Sequence, residues 1–594
     1  MSDAKSSANN SGYGLVPSNY PILKKLRESK TAKLKPCKFL KPTTQLRYYQ
    51  VIGTTHFLLL NRMILGDSAG LGKSLMSIAS YIFLLEKDPT IRLLIVCPKS
   101  AVDQWAEEFE KFTTGISVHV MSNEYGKYKN EDKYDHVQVL KDKKIKYTKL
   151  TGFEARKIQY DSIKSNVLIT NWHAVQDDYI YLASNRGDNF MFLTDECQEI
   201  KNSKSKTHFG AAYIASKATR VYGLSATIIK NRLEEAYNIF RVVVPGLFGS
   251  VRKFNDNFLI LKKRSVKRGA KKVYFNEIVG YKNLSMFRDT IDPYFLIRKT
   301  KDVAKELPSI ISKKIIVDMS PAQKILYAYA LSGDLYKERV KDRYFLYKED
   351  FDKVTEHTDK EYAILEKLYA NYQDSLTAEG IQKNKIAGLS FCQLIANGPQ
   401  WLGETEEGDS CKETEFKRLF DQELRVEKTI IFTRFKSGIP RLEKILDELE
   451  IKHVKITGDV VGQDRKTARL QFQESKDISV IFITAAGSAA LNLQSANVIL
   501  FYDTPWSYGD LYQTIGRAQR IGSVYQHVLV IHMVTKGSID QHVLDILESK
   551  KDLITNVMGD IAEGAIEFKP DEAMFKEDDG VIDALFSSVF KKAL

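Results

Sequence analysis

The sequence predicts an α/β protein: two lobes, each a parallel sheet covered by helices on both faces, with helical insertions between them. Three observations predict it. Short continuous apolar runs alternate with helical stretches in two separate blocks of the chain, the pattern of strands buried on both faces. A long stretch rich in Lys, Glu and Tyr separates the blocks. The residues able to carry chemistry follow the apolar runs, at the strand ends where such sheets bind ligands.

Composition narrows the class. A chain of 594 residues that is 43% hydrophobic can bury large cores, and its length suggests about three to five domain-sized units. The net charge of +13 points to a polyanionic partner. The five cysteines (Cys37, Cys97, Cys197, Cys392, Cys411) form no C-x-x-C pair. That argues against a zinc site or disulfide framework and fits a reducing compartment. No apolar run reaches membrane length and no signal-peptide core is present, so no membrane is expected.

Residues 1–40 read as a polar N-terminal leader, disordered over "MSDAKSSANNSGYG". Residues 41–244 read as the first lobe, with strands in "RLLIVCP", "SNVLIT", "FMFLTDE" and "RVYGLSAT". Within it, "DSAGLGKSLM" lies between an apolar run and a helical stretch. Gly70 and Gly72, flanking Leu71, let the backbone turn its N–H groups around a phosphate. Lys73 can reach the β- and γ-phosphates of a nucleotide, and the Ser74 hydroxyl can ligate Mg²⁺. Asp67 stands where the usual phosphate-loop pattern has glycine. After "FMFL" come Asp195 and Glu196: an aspartate there can hold Mg²⁺, and a glutamate can polarise the attacking water. Short hydroxyls at 225–227, "SAT", can link a nucleotide site to a nucleic-acid track. Upstream, the Gln50 amide can read an adenine edge.

Residues 245–420 read as helical insertions and an inter-lobe linker. They hold the densest basic cluster, "LKKRSVKRGAKK" at 261–272, read as a Gly-containing loop that either contacts phosphates or is solvated. A second cluster at 141–150 reads chiefly as solvated surface. Residues 421–548 form the second lobe, with "KTIIFTR", "HVKITG", "ISVIFIT", "NVILFYD" and "HVLVIHMV". There "QTIGRAQRIG" sets Gln513, Arg517 and Arg520 on one helical face, and guanidinium groups suit transition-state phosphate charge. Trp506 reads as a packing residue. The tail, 549–594, ends in an amphipathic helix, "DGVIDALFSSVFKKAL", which either packs back on the body or docks a protein partner.

With these residues in hand, the chain resembles the SWI/SNF-type ATPases of helicase superfamily two, the DNA-translocase branch, collinearly from about Leu46 to Leu547. "LRYYQ" is similar to the adenine-sensing Q segment. "ILGDSAGLGKS" resembles the family's phosphate loop, in which the family itself carries Asp at the place of Asp67. "TDECQEIKN" resembles the Asp-Glu box, and "YDTPWSYGDLYQTIGRAQRIGS" the arginine segment of the second lobe. The resemblance implies two RecA-like lobes, ATP and Mg²⁺ as cofactors, and DNA-stimulated ATP hydrolysis with translocation along duplex DNA. It implies Lys73, Glu196, Arg517 and Arg520 as catalytic groups. Gln50, Asp67, Gly70, Leu71, Gly72, Lys73, Ser74 and Gln513 would bind nucleotide, and Ser74 and Asp195 the metal. An intracellular, DNA-containing compartment follows. Departures are "DECQ" for the usual acidic box, "SAT" for the usual "GTP", and Ser488 and Ala490 in place of glycines. They leave two alternatives open: a strand-separating DNA or RNA helicase, and a non-hydrolysing ATP-binding interaction module.

Overall fold

The computed structural model describes residues 16–547, apart from 69, 123, 126–135, 140–144, 149, 226–227, 229–232, 269–270, 299–302, 304–306, 354–356, 403–409, 461, 486–490, 507, 521–522 and 546. The expected disordered leader over 1–14, the amphipathic tail helix, Ala226, Thr227, Ser488 and Ala490 lie outside the described residues.

The main sheet of the first lobe takes β1 (Arg62–Leu65), β2 (Arg92–Cys97), β3 (Val118–Val120), β4 (Val167–Asn171), β5 (Phe190–Asp195) and β6 (Arg220–Leu224); short antiparallel pairs between Val120 and Val167 stand apart from it. An antiparallel hairpin follows, β7 (Leu259–Arg268) and β8 (Lys271–Tyr281), and then β9 (Phe295–Leu296). Apart from the hairpin these form one seven-stranded sheet, β9-β1-β6-β5-β2-β4-β3, parallel throughout. The second sheet is built from β10 (Ser309–Val317), β11 (Thr429–Phe432), β12 (Lys452–Ile456), β13 (Ile478–Ile483), β14 (Val498–Phe501) and β15 (His527–Thr535). Its order is β10-β15-β14-β11-β13-β12, again all parallel.

The apolar runs behave as strands because both faces are covered. Along β2, Leu94 and Val96 enter one core, with Leu168, Phe190 and Phe192. Leu93, Ile95 and Cys97 point the other way, into a second core with Val167, Ile169, Met191 and Leu193. The second lobe repeats the arrangement, with Ile431, Phe482 and Leu500 on one face and Ile430, Ile481, Ile483 and Phe501 on the other. Each such side chain contributes about 1.5–3 kcal/mol by burial; Phe192→Ala would remove about 3–5 kcal/mol.

The helices that carry the argument are α1 (Tyr48–Leu59), α2 (Lys73–Lys87), α3 (Val102–Phe112), α4 (Leu233–Val243), α5 (Asp334–Asp352), α6 (Asp359–Ser375), α7 (Gly462–Glu474) and α8 (Tyr508–Ala518). The α5–α6 pair forms a helical insertion, joined by aromatic contacts such as the stacking of Tyr344 on Tyr372 at 5.7 Å.

The stretch expected as helical insertions departs from that expectation. It supplies a strand to each sheet, β9 to the first and β10 to the second, as well as the β7–β8 hairpin. The reason is compositional. Strand β10, "SIISKKIIV", is an exposed edge strand whose lysines and serines mask the strand signal. Part of the expected leader is also structured. Residues Tyr20–Arg27 form a helix whose Leu23 is fully buried, and Arg27 pairs with Asp292 at 2.7 Å. All five cysteines are free. No helix among the described residues is long and apolar enough to cross a membrane.

Candidate active site

The phosphate-loop stretch leaves β1 and enters α2. Gly70 and Gly72 take φ of +85° and +82°, a region closed to most side chains. Space forbids a side chain as well. A Cβ on Gly72 would come within 2.6 Å of the Gln50 amide nitrogen, and one on Gly70 within 2.7 Å of the Gln519 carbonyl oxygen. Gln50, in the first turn of α1, uses both ends of its amide. Its Oε1 accepts from the Arg47 backbone N–H at 3.0 Å, and its Nε2 donates to the Leu71 carbonyl at 3.2 Å. Leu71 is buried against Tyr49 and Leu307.

Asp67 is fully buried, and its carboxylate does not face the loop. It forms a bidentate pair with Arg298, whose Nε donates to Oδ1 at 3.0 Å. Arg298 also donates to the Tyr49 carbonyl. The Asp67 carbonyl oxygen is what meets the loop, accepting from Lys73 Nζ at 2.7 Å. The pKa of Lys73 is lowered by burial and held up by Glu196, Asp67 and Asp195.

Asp195 and Glu196 stand where β5 ends. Glu196 is in the left-handed region, φ 52°, which turns the chain sharply after the strand. The Asp195 Oδ2 accepts from Trp105 Nε1 on α3 at 2.9 Å, and its Oδ1 from the Glu196 backbone N–H at 3.0 Å. Desolvation and the adjoining Glu196 charge push the Asp195 carboxyl well above the usual carboxylate range. The Ser74 hydroxyl hydrogen-bonds Glu108 of α3, whose carboxyl burial also raises.

The second lobe closes on these groups. Gln513 Nε2 of α8 donates to Glu196 Oε2 at 3.2 Å. Tyr512 shares a hydrogen bond with Ser68, and Gln519 lies on Gly70. Arg517 is buried, its guanidinium held down to about 9 by desolvation and by the neighbouring Arg520. It donates to the Leu491 carbonyl at 3.5 Å, and its Nε has no hydrogen-bond partner among the described residues. Arg520 is similarly desolvated, and the nearby charge of Glu108 acts against its deprotonation. The expected single helical face carrying Gln513, Arg517 and Arg520 is corrected: α8 ends at Ala518. Arg520 lies in the turn beyond, its Nε donating back to the Gly516 carbonyl at 3.0 Å. Where the chain leaves the helix, its Gln519 carbonyl is laid against Gly70.

A relay of hydrogen bonds runs from this cleft into the first lobe. Gln198 Nε2 donates to Glu196 Oε2 at 2.6 Å, and Ser225 Oγ donates to Gln198 Oε1 at 2.6 Å. One amide thus touches both the acidic box and the end of β6. Cys197 packs on Gly223 of β6, where a Cβ would come within 3.1 Å of its sulfur. Trp506 lies under Arg434, at 4.2 Å from guanidinium carbon to ring centre.

Sequence reasoning missed several participants. Trp105 orients Asp195, Glu108 engages Ser74, and Arg298 occupies Asp67 from 231 positions away. Across the cleft, α3 and α7 are joined by Glu107, which meets Lys466 and Arg469, each at 3.2 Å. The tryptophan that closes "SAVDQW" is visible in the sequence, but its aim at a strand end is not.

The residues present fit a nucleotide and a cation. Asp195 and Glu196 act on Lys73 in a desolvated cleft, Glu108 meets Ser74, and on the other side the Arg517 Nε has no hydrogen-bond partner among the described residues. Among the described residues no group of three or more His, Cys, Asp or Glu gathers as a metal cage.

The profile of the SNF2-related domain matches residues 49–372, and that of the helicase conserved C-terminal domain residues 411–522. The chain is 26% identical over 498 residues to the SWI/SNF chromatin-remodeling complex subunit snf22 of Schizosaccharomyces pombe, covering 82% of this chain and 26% of that one. It is 23% identical over 557 residues to the ATP-dependent helicase FUN30 of Saccharomyces cerevisiae, covering 86% and 47%. Among solved structures it is similar to the Sulfolobus solfataricus SWI2/SNF2 ATPase core in complex with dsDNA, with 20% identity, a TM-score of 0.35 and coverage of 88% and 94%. The chain spans from about a quarter to about half the length of these curated relatives. By the match over more than half its length, the chain belongs to the family of the SNF2-related domain, here joined to a helicase conserved C-terminal domain.

Proposed function

We propose that this chain is a DNA-dependent ATPase that translocates along duplex DNA and remodels DNA structures or bound proteins without reading sequence. One observation carries the reading. Lys73, Asp195 and Glu196 of the first lobe meet Gln513, Arg517 and Arg520 of the second in one cleft, close enough that their charges act on one another. The family match, the chromatin-remodeling and helicase names of the relatives and the +13 charge of the chain support the nucleic-acid part.

In this mechanism the loop from Gly70 to Ser74 wraps the phosphates with backbone N–H groups, and Lys73 exchanges the Asp67 carbonyl for phosphate oxygens. Gln50 sets the loop through Leu71 and senses the adenine end; Asp67, tied to Arg298, holds the strand end rigid. Ser74 and Asp195 would hold Mg²⁺, which when bound neutralises charge on the β- and γ-phosphate oxygens. Glu196 orients the attacking water and takes its proton, while Gln198 and Gln513 fix its carboxylate. Arg517 and Arg520 stabilise charge developing at the γ-phosphate. Contact across the cleft depends on nucleotide, so closure and release drive the lobes along the DNA backbone. In this proposal 41–244 and 421–548 are the bulk of the two motor lobes, each completed by one strand from 245–420, β9 and β10; the rest of 245–420 is insertions and linker, and 549–594 a tail whose helix either packs back on the body or docks a protein partner. The working compartment is intracellular and contains DNA.

The test is steady-state ATP hydrolysis by wild type and Glu196→Gln, with no nucleic acid and then with single-stranded, duplex or forked DNA, or RNA. Stimulation by duplex or forked DNA is expected, with a loss of at least about a hundredfold in the variant. Stimulation by RNA or single strands alone would replace this reading with a strand-separating helicase. No turnover under any condition would leave an ATP-binding module.

A further inference from the structure

The β7–β8 hairpin belongs to the first lobe, yet it neither joins the main sheet nor serves the cleft. Its base is fixed. Leu259, Gly280 and Tyr281 are buried. The Tyr281 hydroxyl accepts from the Leu233 backbone N–H at 3.3 Å and donates to Glu234 at 3.2 Å. Those two residues open α4, the helix that follows Ser225 after β6. The hairpin is therefore rooted at the carboxyl end of the sheet, the end that holds the candidate active site.

Beyond its base the ribbon turns cationic. Residues 259–281 carry seven Lys or Arg and one acid, Glu277. Residues opposite one another in an antiparallel ladder share a face, and alternate residues of a strand share it too. The register pairs Lys263 with Asn276, Ser265 with Tyr274 and Lys267 with Lys272. This face carries three lysines and an exposed tyrosine, Tyr274 at 67% exposure, and no acid. Glu277 lies on the other face, where it accepts from Arg264 Nε at 2.6 Å. At the end of the ladder two like-charged pairs stand opposite each other, Lys267 with Lys272 and Arg268 with Lys271. Such pairs weaken a ribbon that has only two strands to begin with. Lysine-rich edges also discourage another strand from adding to it. The arrangement suits a polyanion and not a neighbouring sheet. A two-stranded ribbon fits the major groove of duplex DNA, and ten ladder residues reach about 33 Å.

We propose that the β7–β8 ribbon is a DNA-binding arm, separate from the motor cleft, that lays its Lys263, Lys267 and Lys272 face along the phosphates of duplex DNA. This rests on the reading of the chain as a DNA-dependent ATPase. The arm raises affinity for duplex and leaves the hydrolytic step alone.

The experiment compares the full chain with a Lys263→Ala, Lys267→Ala, Lys272→Ala variant. A control carries three alanines at Lys337, Lys341 and Lys348 on α5, removing equal charge elsewhere. ATP hydrolysis is titrated with duplex DNA at several salt concentrations. The ribbon variant is expected to need several-fold more duplex for half-stimulation. Its dependence of log affinity on log salt should be shallower by roughly three, one step per lost phosphate contact. Its DNA-free rate and DNA-saturated rate should match wild type, and the α5 control should behave as wild type. Equal affinity and equal salt slope in wild type and ribbon variant overturn the arm and leave the ATPase reading standing. A matching loss in the α5 control overturns it as well, since general charge would then account for the effect. Polyglutamate bound by wild type and lost in the ribbon variant, with duplex binding unchanged, overturns it in favour of an acidic protein partner. A wild-type chain that hydrolyses ATP yet binds no duplex overturns the function proposed above, and the arm falls with it.

Discussion

Two parts of the molecule bury charge in opposite ways. Inside the second lobe, fully enclosed Lys412 donates to Asn397 Oδ1 at 3.0 Å, to the Tyr502 carbonyl at 2.7 Å and to Asp540. Asp503 beside it accepts from Thr433 Oγ1 at 2.6 Å, the Arg434 backbone N–H at 2.9 Å and Asn397 Nδ2 at 3.0 Å. In the cleft, Arg517 makes one long bond and keeps an unpartnered Nε among the described residues, while Asp195 and Glu196 sit side by side. A saturated cluster fixes one conformation. A desolvated and undersupplied one is tuned for something that arrives from outside. The first kind should answer to stability measurements and the second to kinetic ones.

That division can be broken most directly at Arg517. Arg517→Ala should slow DNA-stimulated hydrolysis about a thousandfold or more, while its melting temperature stays equal to or above that of wild type. A large loss of stability would dissolve the contrast. Lys412→Met should do the converse. Leaving Asp540 and Asp503 without their cation should cost about 3–5 kcal/mol in denaturant unfolding, and adding Asp540→Leu should recover part of it.

The relay should give an intermediate effect. Gln198→Ala removes the bridge between Glu196 and Ser225, so DNA stimulation should fall about tenfold while DNA-free hydrolysis changes less; equal losses would mean that Gln198 only supports Glu196. The acidity of the cleft sharpens the comparison further. The Asp195 carboxyl is raised in the folded chain, so the folded state holds that proton more tightly than the unfolded one. The ligand-free protein should therefore gain stability as pH falls from above the raised value toward the ordinary carboxylate value. Asp195→Asn should flatten that trend in thermal unfolding followed across pH. Smallest is Glu107→Ala, which loses part-exposed pairs to Lys466 and Arg469. It should shift stability by at most about 1 kcal/mol, and the shift should vanish in high salt.

Sequence made much of the architecture legible, because buried parallel strands announce themselves as apolar runs and their carboxyl ends are where polar residues gather. Gly70, Gly72 and the Asp195–Glu196 pair could be found that way, since each reflects a local backbone need. What stayed hidden is long-range. Nothing around Arg298 says that it will occupy Asp67, and nothing around Trp105 says that it will orient Asp195. The basic stretch at 261–272 reads as a loop because lysines dilute the alternation that "VYFNEIVGY" continues on the second strand. Helical spacing puts Arg520 on α8 because spacing alone does not show where a helix ends, and this one ends at Ala518.

The path of β10 bears on how the protein can be taken apart. This strand precedes the α5–α6 insertion, yet it runs beside β15 along its whole length, from Ser309 opposite His527 to Val317 opposite Thr535. A fragment cut at 421, where the second block of apolar runs begins, would carry β15 as a bare edge with its N–H and C=O groups unmatched. Such a piece should self-associate through that edge. The separable unit starts before Ser309 and keeps the helical insertion inside it, so the second motor lobe begins at β10, upstream of the insertion.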